Sequence, residues 1–185
     1  MRYLIILIML FVFNSCSDNG SKFIGVWHSK GIVNSNKKGT YIITKSDKDY
    51  IITSYYANDA GDFNKFPGKL YDNRIIINKD AEFTLINDNT LFVAAFEFTK
   101  YPVELEIRDL ENDKENLRIS LEIQQKQVDN QKTRLEDLKG VKSSSQKDYQ
   151  VNGTLKRLEI EEKKFKELEN KVSKIDEILQ LLQSI

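Results

Sequence analysis

The sequence predicts an α+β chain: a small antiparallel β meander or barrel over residues 23–101, followed by a long antiparallel coiled-coil helical hairpin over 102–185. Three observations predict it. Between Lys22 and Pro102 lie 14 of the 19 aromatic residues, in short stretches rich in β-branched side chains and separated by Asn/Asp turns. Beyond Pro102 only Tyr149 and Phe165 are aromatic, and apolar residues recur every seven positions. Ahead of both halves an uninterrupted apolar run fills 3–13, preceded by one basic residue, Arg2.

Composition narrows the function classes before any motif is read. The 185 residues carry 28 Lys+Arg against 28 Asp+Glu, a formal net charge of zero. A chain built to coat nucleic acid carries a marked basic excess, so no nucleic-acid partner is expected. One Cys and one His leave no disulfide framework, no Cys-based metal site and no multi-His site; neither a metal nor a cofactor is expected.

The apolar run of 3–13 would reach roughly 16 Å as a helix, short of the roughly 30 Å of a bilayer core. Its length fits a secretory signal over 1–15, with a tether over 16–22. The run ends in Phe13-Asn14-Ser15-Cys16, and Cys16 is the only cysteine. These four residues resemble the lipobox of bacterial lipoproteins. They depart from it at Phe13, where the family usually has Leu, and at Asn14, where it usually has a small or aliphatic residue. The resemblance implies cleavage before Cys16 and acylation of its thiol. It also implies a cell-envelope location, with Ser17 pointing to the outer membrane and the periplasmic or surface face left open. An unpaired thiol in an oxidising compartment is otherwise a liability. Several acyl chains matter, because one alone binds a membrane only marginally. The alternative is a plain signal peptide with Cys16 incidental.

Strands are expected at 23–29, 39–45, 50–56, 66–71, 74–79, 82–86 and 90–99, seven in all. The connections Ser46–Asp49, Asp72-Asn73 and Asn87–Asn89 are hairpin turns by composition, because Asn and Asp tolerate left-handed backbone. Short loops between successive strands favour a meander. In the last stretch the expected inward face is Phe92, Ala94, Phe96 and Phe98, opposite Leu91, Val93, Ala95 and Glu97. Phe23-Ile24-Gly25-Val26-Trp27, at the start of the first strand, is similar to the Gly-x-Trp signature of lipocalin-like domains. That resemblance implies Trp27 lying across the closed barrel end under a basic residue of the last strand. Lys100 fills that place through cation–π contact, where the family usually has Arg. It also implies an eight-stranded barrel, one strand more than these stretches supply. A chance Gly-x-Trp in a small β-domain is the alternative.

In the helical half one seam series runs Ile107, Lys114, Leu121, Val128, Leu135, with Leu110, Leu117, Gln124, Gln131, Leu138 as its partner. After a polar turn near 140–153, whose C-terminal part can already be helical, the repeat resumes as Val151, Leu158, Phe165, Val172, Leu179, with Leu168, Ile175 and Leu182. Folding back about that turn pairs Ile107 and Leu110 with Leu179 and Leu182, and sets Leu121 and Val128 near Phe165 and Leu168. Pro102 and Glu104 suit a helix start, and Lys139-Gly140 a stop. Ile119, Ile123, Leu155, Ile160, Ile178 and Leu181 lie off the seam, on a docking face or exposed.

Catalysis has little to work with. His28 beside Trp27 reads as a strand histidine; a general base would need a partner that sequence does not supply. Ser29, Thr53 and Ser54 sit in no nucleophile elbow. The loop Asn58–Asn64 groups oxygen ligands but misses the calcium spacing and has no closing glutamate. No catalytic residue is assigned. The expected function is a non-enzymatic, membrane-anchored binding or interaction module. Its barrel would hold a small apolar ligand or a protein, and its helices would serve assembly, self-association or spacing. The alternatives are a tethered inhibitor or exclusion factor against a hydrolase, phage or conjugation machinery, and an enzyme of lipocalin-like fold. His28 facing a buried carboxylate inside the barrel would be the mark of the enzyme.

Overall fold

The computed structural model describes residues 20–31, 38–56, 63–78, 81–140 and 145–185. Eight antiparallel strands follow one another around a closed barrel: β1 (Gly25–Ser29), β2 (Gly39–Ser46), β3 (Asp49–Tyr56), β4 (Asn64–Tyr71), β5 (Arg74–Asn78), β6 (Ala81–Asn87), β7 (Thr90–Val93) and β8 (Phe96–Tyr101). The ring closes where β1 meets β8, with Trp27 opposite Lys100 and Val26 opposite Tyr101. The turns use the chemistry their residues offer. Asp72 and Asn73 both take positive φ, 45° and 59°, as a two-residue hairpin requires at its centre. The side-chain oxygen of Asn87 accepts the Asn89 N–H at 2.9 Å and folds the β6–β7 turn.

Two expectations are corrected. The stretch 90–99 is not one strand: Ala94 takes φ +52° and the chain reverses, so Val93 pairs with Phe96 and Leu91 with Phe98. This supplies the eighth strand. It also reverses part of the expected inward face. Leu91, Val93 and Phe98 are buried, whereas Phe92 is left on the outside. Ala-Ala lacks turn composition, so the period-2 pattern ran unbroken through it. Phe23 in turn belongs to a short 3-10 turn, Ser21–Phe23, rather than to β1.

Alternation along the strands sends Trp27, Ile43, Ile52, Ile75, Phe83, Leu91 and Phe98 inward, where they fill the barrel with Phe23, Tyr50 and Val93. The end that carries the β2–β3, β4–β5 and β6–β7 turns is closed by the incoming chain. Gly20 lies so close to it that a Cβ there would fall 1.7 Å from the Tyr50 hydroxyl and 2.9 Å from Leu70 Cδ2. The opposite end, where Ser29, Gly39, Tyr56 and Asn64 lie, is the mouth.

Outward-facing Val26, Ile42 and Tyr55 would be wasted on water. They form a second core with Leu110, Ile175, Ile178, Leu179 and Leu182 of two helices, α1 (Val103–Gly140) and α2 (Ser145–Leu182). Each has 38 residues, about 57 Å at 1.5 Å per residue. They run antiparallel, with Lys114 bonded to Asp176 beside the barrel and Lys132 3.3 Å from Glu162 farther out. The C-terminal part of the turn segment is helical: α2 begins at Ser145 and includes Asn152 and Gly153. A glycine inside a helix costs about 1 kcal/mol, which a helix packed along its length overrides. α1 leaves the closed end after Tyr101, and Glu177 of α2 meets Lys65 at the mouth. The barrel-facing core reaches Leu117 and Ile175. Beyond Leu117, α1 continues past the mouth for about 35 Å with α2 alongside it, forming an arm.

Candidate functional site

Two constructions flank β1, one on each face. The inner one gathers the residues singled out from sequence. Trp27 is fully buried, and its Nε1–H donates to the Phe23 carbonyl at 2.8 Å. Lys100 Nζ stands 5.3 Å from the Trp27 ring centroid and donates to the Lys22 carbonyl at 3.3 Å. Burial pushes the Lys100 amine below its ordinary range, with Asp88 pulling the other way. Gly25 has φ +136°, and a Cβ on it would sit 3.0 Å from Lys100 Cε. Glycine therefore does two things there: it takes the backbone angle and leaves room for the lysine stem.

The outer construction was not legible in the sequence. His28 follows Trp27 and so points outward, where its ring stacks on Tyr101 at 4.0 Å between centroids. Its Nε2 lies 2.7 Å from Oε2 of Glu106, in the first turns of α1. Oε1 of the same carboxyl accepts the Tyr55 hydroxyl of β3. Since a carboxylate offers only acceptors, Nε2 carries the hydrogen. Glu106 is 5% exposed, and both its oxygens are engaged. One helix turn on, Asp109 accepts the Tyr101 hydroxyl at 3.1 Å, and Asp113 completes an acidic row. Burial, then Asp109 and Glu106, push the Asp113 carboxyl above its usual range. Burial, then Glu106, push the Tyr55 phenol well above 10.

Chemically this is a latch. The buried carboxylate that would mark an enzyme exists, yet it lies between the barrel wall and the helix, and the barrel interior is apolar. Among the described residues no nucleophile stands free beside His28: Ser29 Oγ donates to the Gly31 carbonyl at 2.8 Å and accepts the Gly39 N–H at 2.9 Å. Glu106 carries no sequence signal beyond sitting one residue before the seam residue Ile107. Only the docking of α1 on the outward face of β1 exposes its role. Among the described residues no group of three or more acidic, His or Cys side chains could hold a metal.

A pocket of about 90 Å³ opens at the mouth, bordered by Thr40, Tyr41, Ser54, Tyr56, Asn64 and Phe98. That is far below the several hundred Å³ of a usual small-molecule site. Most of the Asn58–Asn64 loop, the signal of 1–15 and Cys16 lie outside the described residues; of the loop, Asn64 opens β4 and Phe63 packs against the helix-facing core. Among the described residues no helix is long and apolar enough to cross a membrane. Comparison of the chain with family models, curated proteins and solved structures returned no match.

The latch predicts a pH dependence. Folding holds Tyr55 neutral above its unfolded pKa of about 10, so its contribution is complete below that pH and is lost as pH rises through the folded value. Tyr55→Phe should cost about 1.5–3 kcal/mol at pH 7, the range for a hydrogen bond to a charged group. Urea melts of both proteins should show that gap narrowing above pH 10. A constant gap would mean Tyr55 titrates with its usual value.

Proposed function

We propose that this chain is an envelope lipoprotein, held at a membrane by acyl chains on Cys16, that works by binding rather than catalysis. The observation that carries the reading is the lipobox-like Phe13-Asn14-Ser15-Cys16 behind an apolar run too short to span a bilayer. The barrel supports the rest. Its Gly25, Trp27 and Lys100 stand as a lipocalin-like closed end would hold them, but its interior is filled with side chains. A filled barrel with a small mouth pocket favours recognition by its surface, and hence a protein partner, over carriage of a small apolar ligand. The inhibitor or exclusion-factor reading shares this support.

The helices form a coiled-coil arm in this reading. Val128 and Phe165 line one groove between them, and Gln124 Nε2 donates to Glu161 Oε2 at 2.6 Å across the seam. Gln124 and Lys164 hold the Glu161 carboxyl below its usual range. The arm points past the mouth and serves to reach or to assemble.

Cys16→Ser tests the anchor. The wild type should sediment with membranes and the variant should appear in the soluble fraction or persist as precursor. Unchanged fractionation would remove the proposal's basis. Hydrolase activity on envelope substrates, abolished by one substitution such as His28→Ala, would overturn the non-enzymatic part.

A further inference from the structure

The anchor, if it is Cys16, fixes which way the barrel faces. Gly20 is four Cα–Cα steps from Cys16, a covalent reach of at most about 14 Å. Gly20 is packed on the closed end against Tyr50 and Leu70. A leaflet holding acyl chains on Cys16 therefore lies within about 14 Å of that end.

Among the described residues, that end carries the two most exposed large apolar side chains of the barrel, Tyr71 at 65% and Ile86 at 60%. Tyr71 follows Leu70, which Gly20 touches, and closes the β4–β5 hairpin. Ile86 stands two residues before Asp88, which pairs with Lys22 at 3.0 Å. Both thus flank the segment through which the chain enters. They lie on the outward side of strands β4 and β6, while the helices cover Val26, Ile42 and Tyr55 on β1–β3. A tyrosine with an apolar ring and a polar tip, beside an exposed isoleucine, suits the boundary between headgroups and acyl chains.

We propose that the closed end of the barrel is a membrane-seating surface, with Tyr71 and Ile86 resting in the headgroup boundary of the leaflet that anchors Cys16. The proposal rests on the lipoprotein reading. The partner is a phospholipid surface without a required headgroup charge, because the charges at this end nearly cancel: Lys22, Lys45, Lys48, Arg74 and Lys100 stand against Asp47, Asp49, Asp72 and Asp88. Seating turns the mouth and the helical arm away from the bilayer. It also holds the barrel in one orientation, which a lipid tether alone does not.

The test attaches the chain independently of acylation. Residues 1–15 are replaced by a hexahistidine segment, Cys16 is changed to Ser, and the protein is held on phosphatidylcholine vesicles that contain nickel-chelating lipid and brominated acyl chains. Tryptophan is introduced by Tyr71→Trp, Ile86→Trp or, on the arm, Tyr149→Trp, with the contribution of buried Trp27 subtracted. Emission at 71 and 86 should be quenched about twofold or more relative to 149. Added salt or phosphatidylglycerol should leave that ratio unchanged. Equal quenching at all three positions, or none at 71 and 86, overturns the seat. So does shielding of 71 and 86 from aqueous iodide that grows only with protein concentration, the sign of a second copy. Intact mass of the native protein decides the anchor separately: a free Cys16 thiol together with selective quenching at 71 and 86 would refute the anchor and support the seat.

Discussion

Trp27→Ala should lower unfolding free energy by about 3–5 kcal/mol, the cost of removing a fully buried large aromatic from a packed core. Trp27 is completely buried, and its neighbours cannot readily collapse into the space, since the strands are locked in a closed ring; the Phe23 carbonyl also loses its 2.8 Å Nε1–H donor. The loss also strips Lys100 of the ring over which its amine is held. Small domains have about 5–15 kcal/mol in total, so the variant should lose about a third or more of a typical domain's stability and melt at a clearly lower temperature. Trp27→Phe keeps most of the volume and leaves the Phe23 carbonyl unpaired, which should cost about 1–3 kcal/mol. Chemical denaturation followed by circular dichroism orders the two. An unchanged melting temperature in Trp27→Ala with lost binding would instead make Trp27 a ligand contact.

The second large effect is at the latch. Glu106→Leu keeps the side chain's bulk but removes the acceptor for both Tyr55 and His28. The buried Tyr55 hydroxyl is then orphaned, at about 1–3 kcal/mol, while His28, half-buried, can turn to water and adds less. The expected total is about 1–4 kcal/mol. The damage should be local. Hydrogen exchange should rise in the first three turns of α1 and the last turns of α2, where Leu110, Ile175 and Leu182 hold the helices to the barrel. Amides of β5–β7, on the far wall, should stay protected. Uniform loss of protection would show that barrel and helices unfold as one unit, and no change would show that the latch contributes nothing.

Much of this architecture is legible in the order of residues. Asp72-Asn73 announces its hairpin because both residues accept positive φ, and the seven-residue repeat announces two helices because it has the period of a seam. Lys100 is placed over Trp27 by the register of β1 against β8, and strand parity alone puts it near. What escapes is what tertiary packing decides. Ala94 turns the chain without a turn residue, because closure of the ring demands a reversal there. Asn152 and Gly153 join a helix against their propensity, because α2 is held along its length by α1. Glu106 looks like any solvated glutamate until α1 lies on His28 and Tyr55. The anchor is legible only as a resemblance, carried by four residues around Cys16.

The mass of the mature N-terminal peptide, taken from protein extracted from native membranes, tests the central claim most directly. The expected result is a peptide that begins at Cys16 and carries the added mass of its acyl chains. A peptide beginning elsewhere, with Cys16 internal and its thiol unmodified, would contradict it.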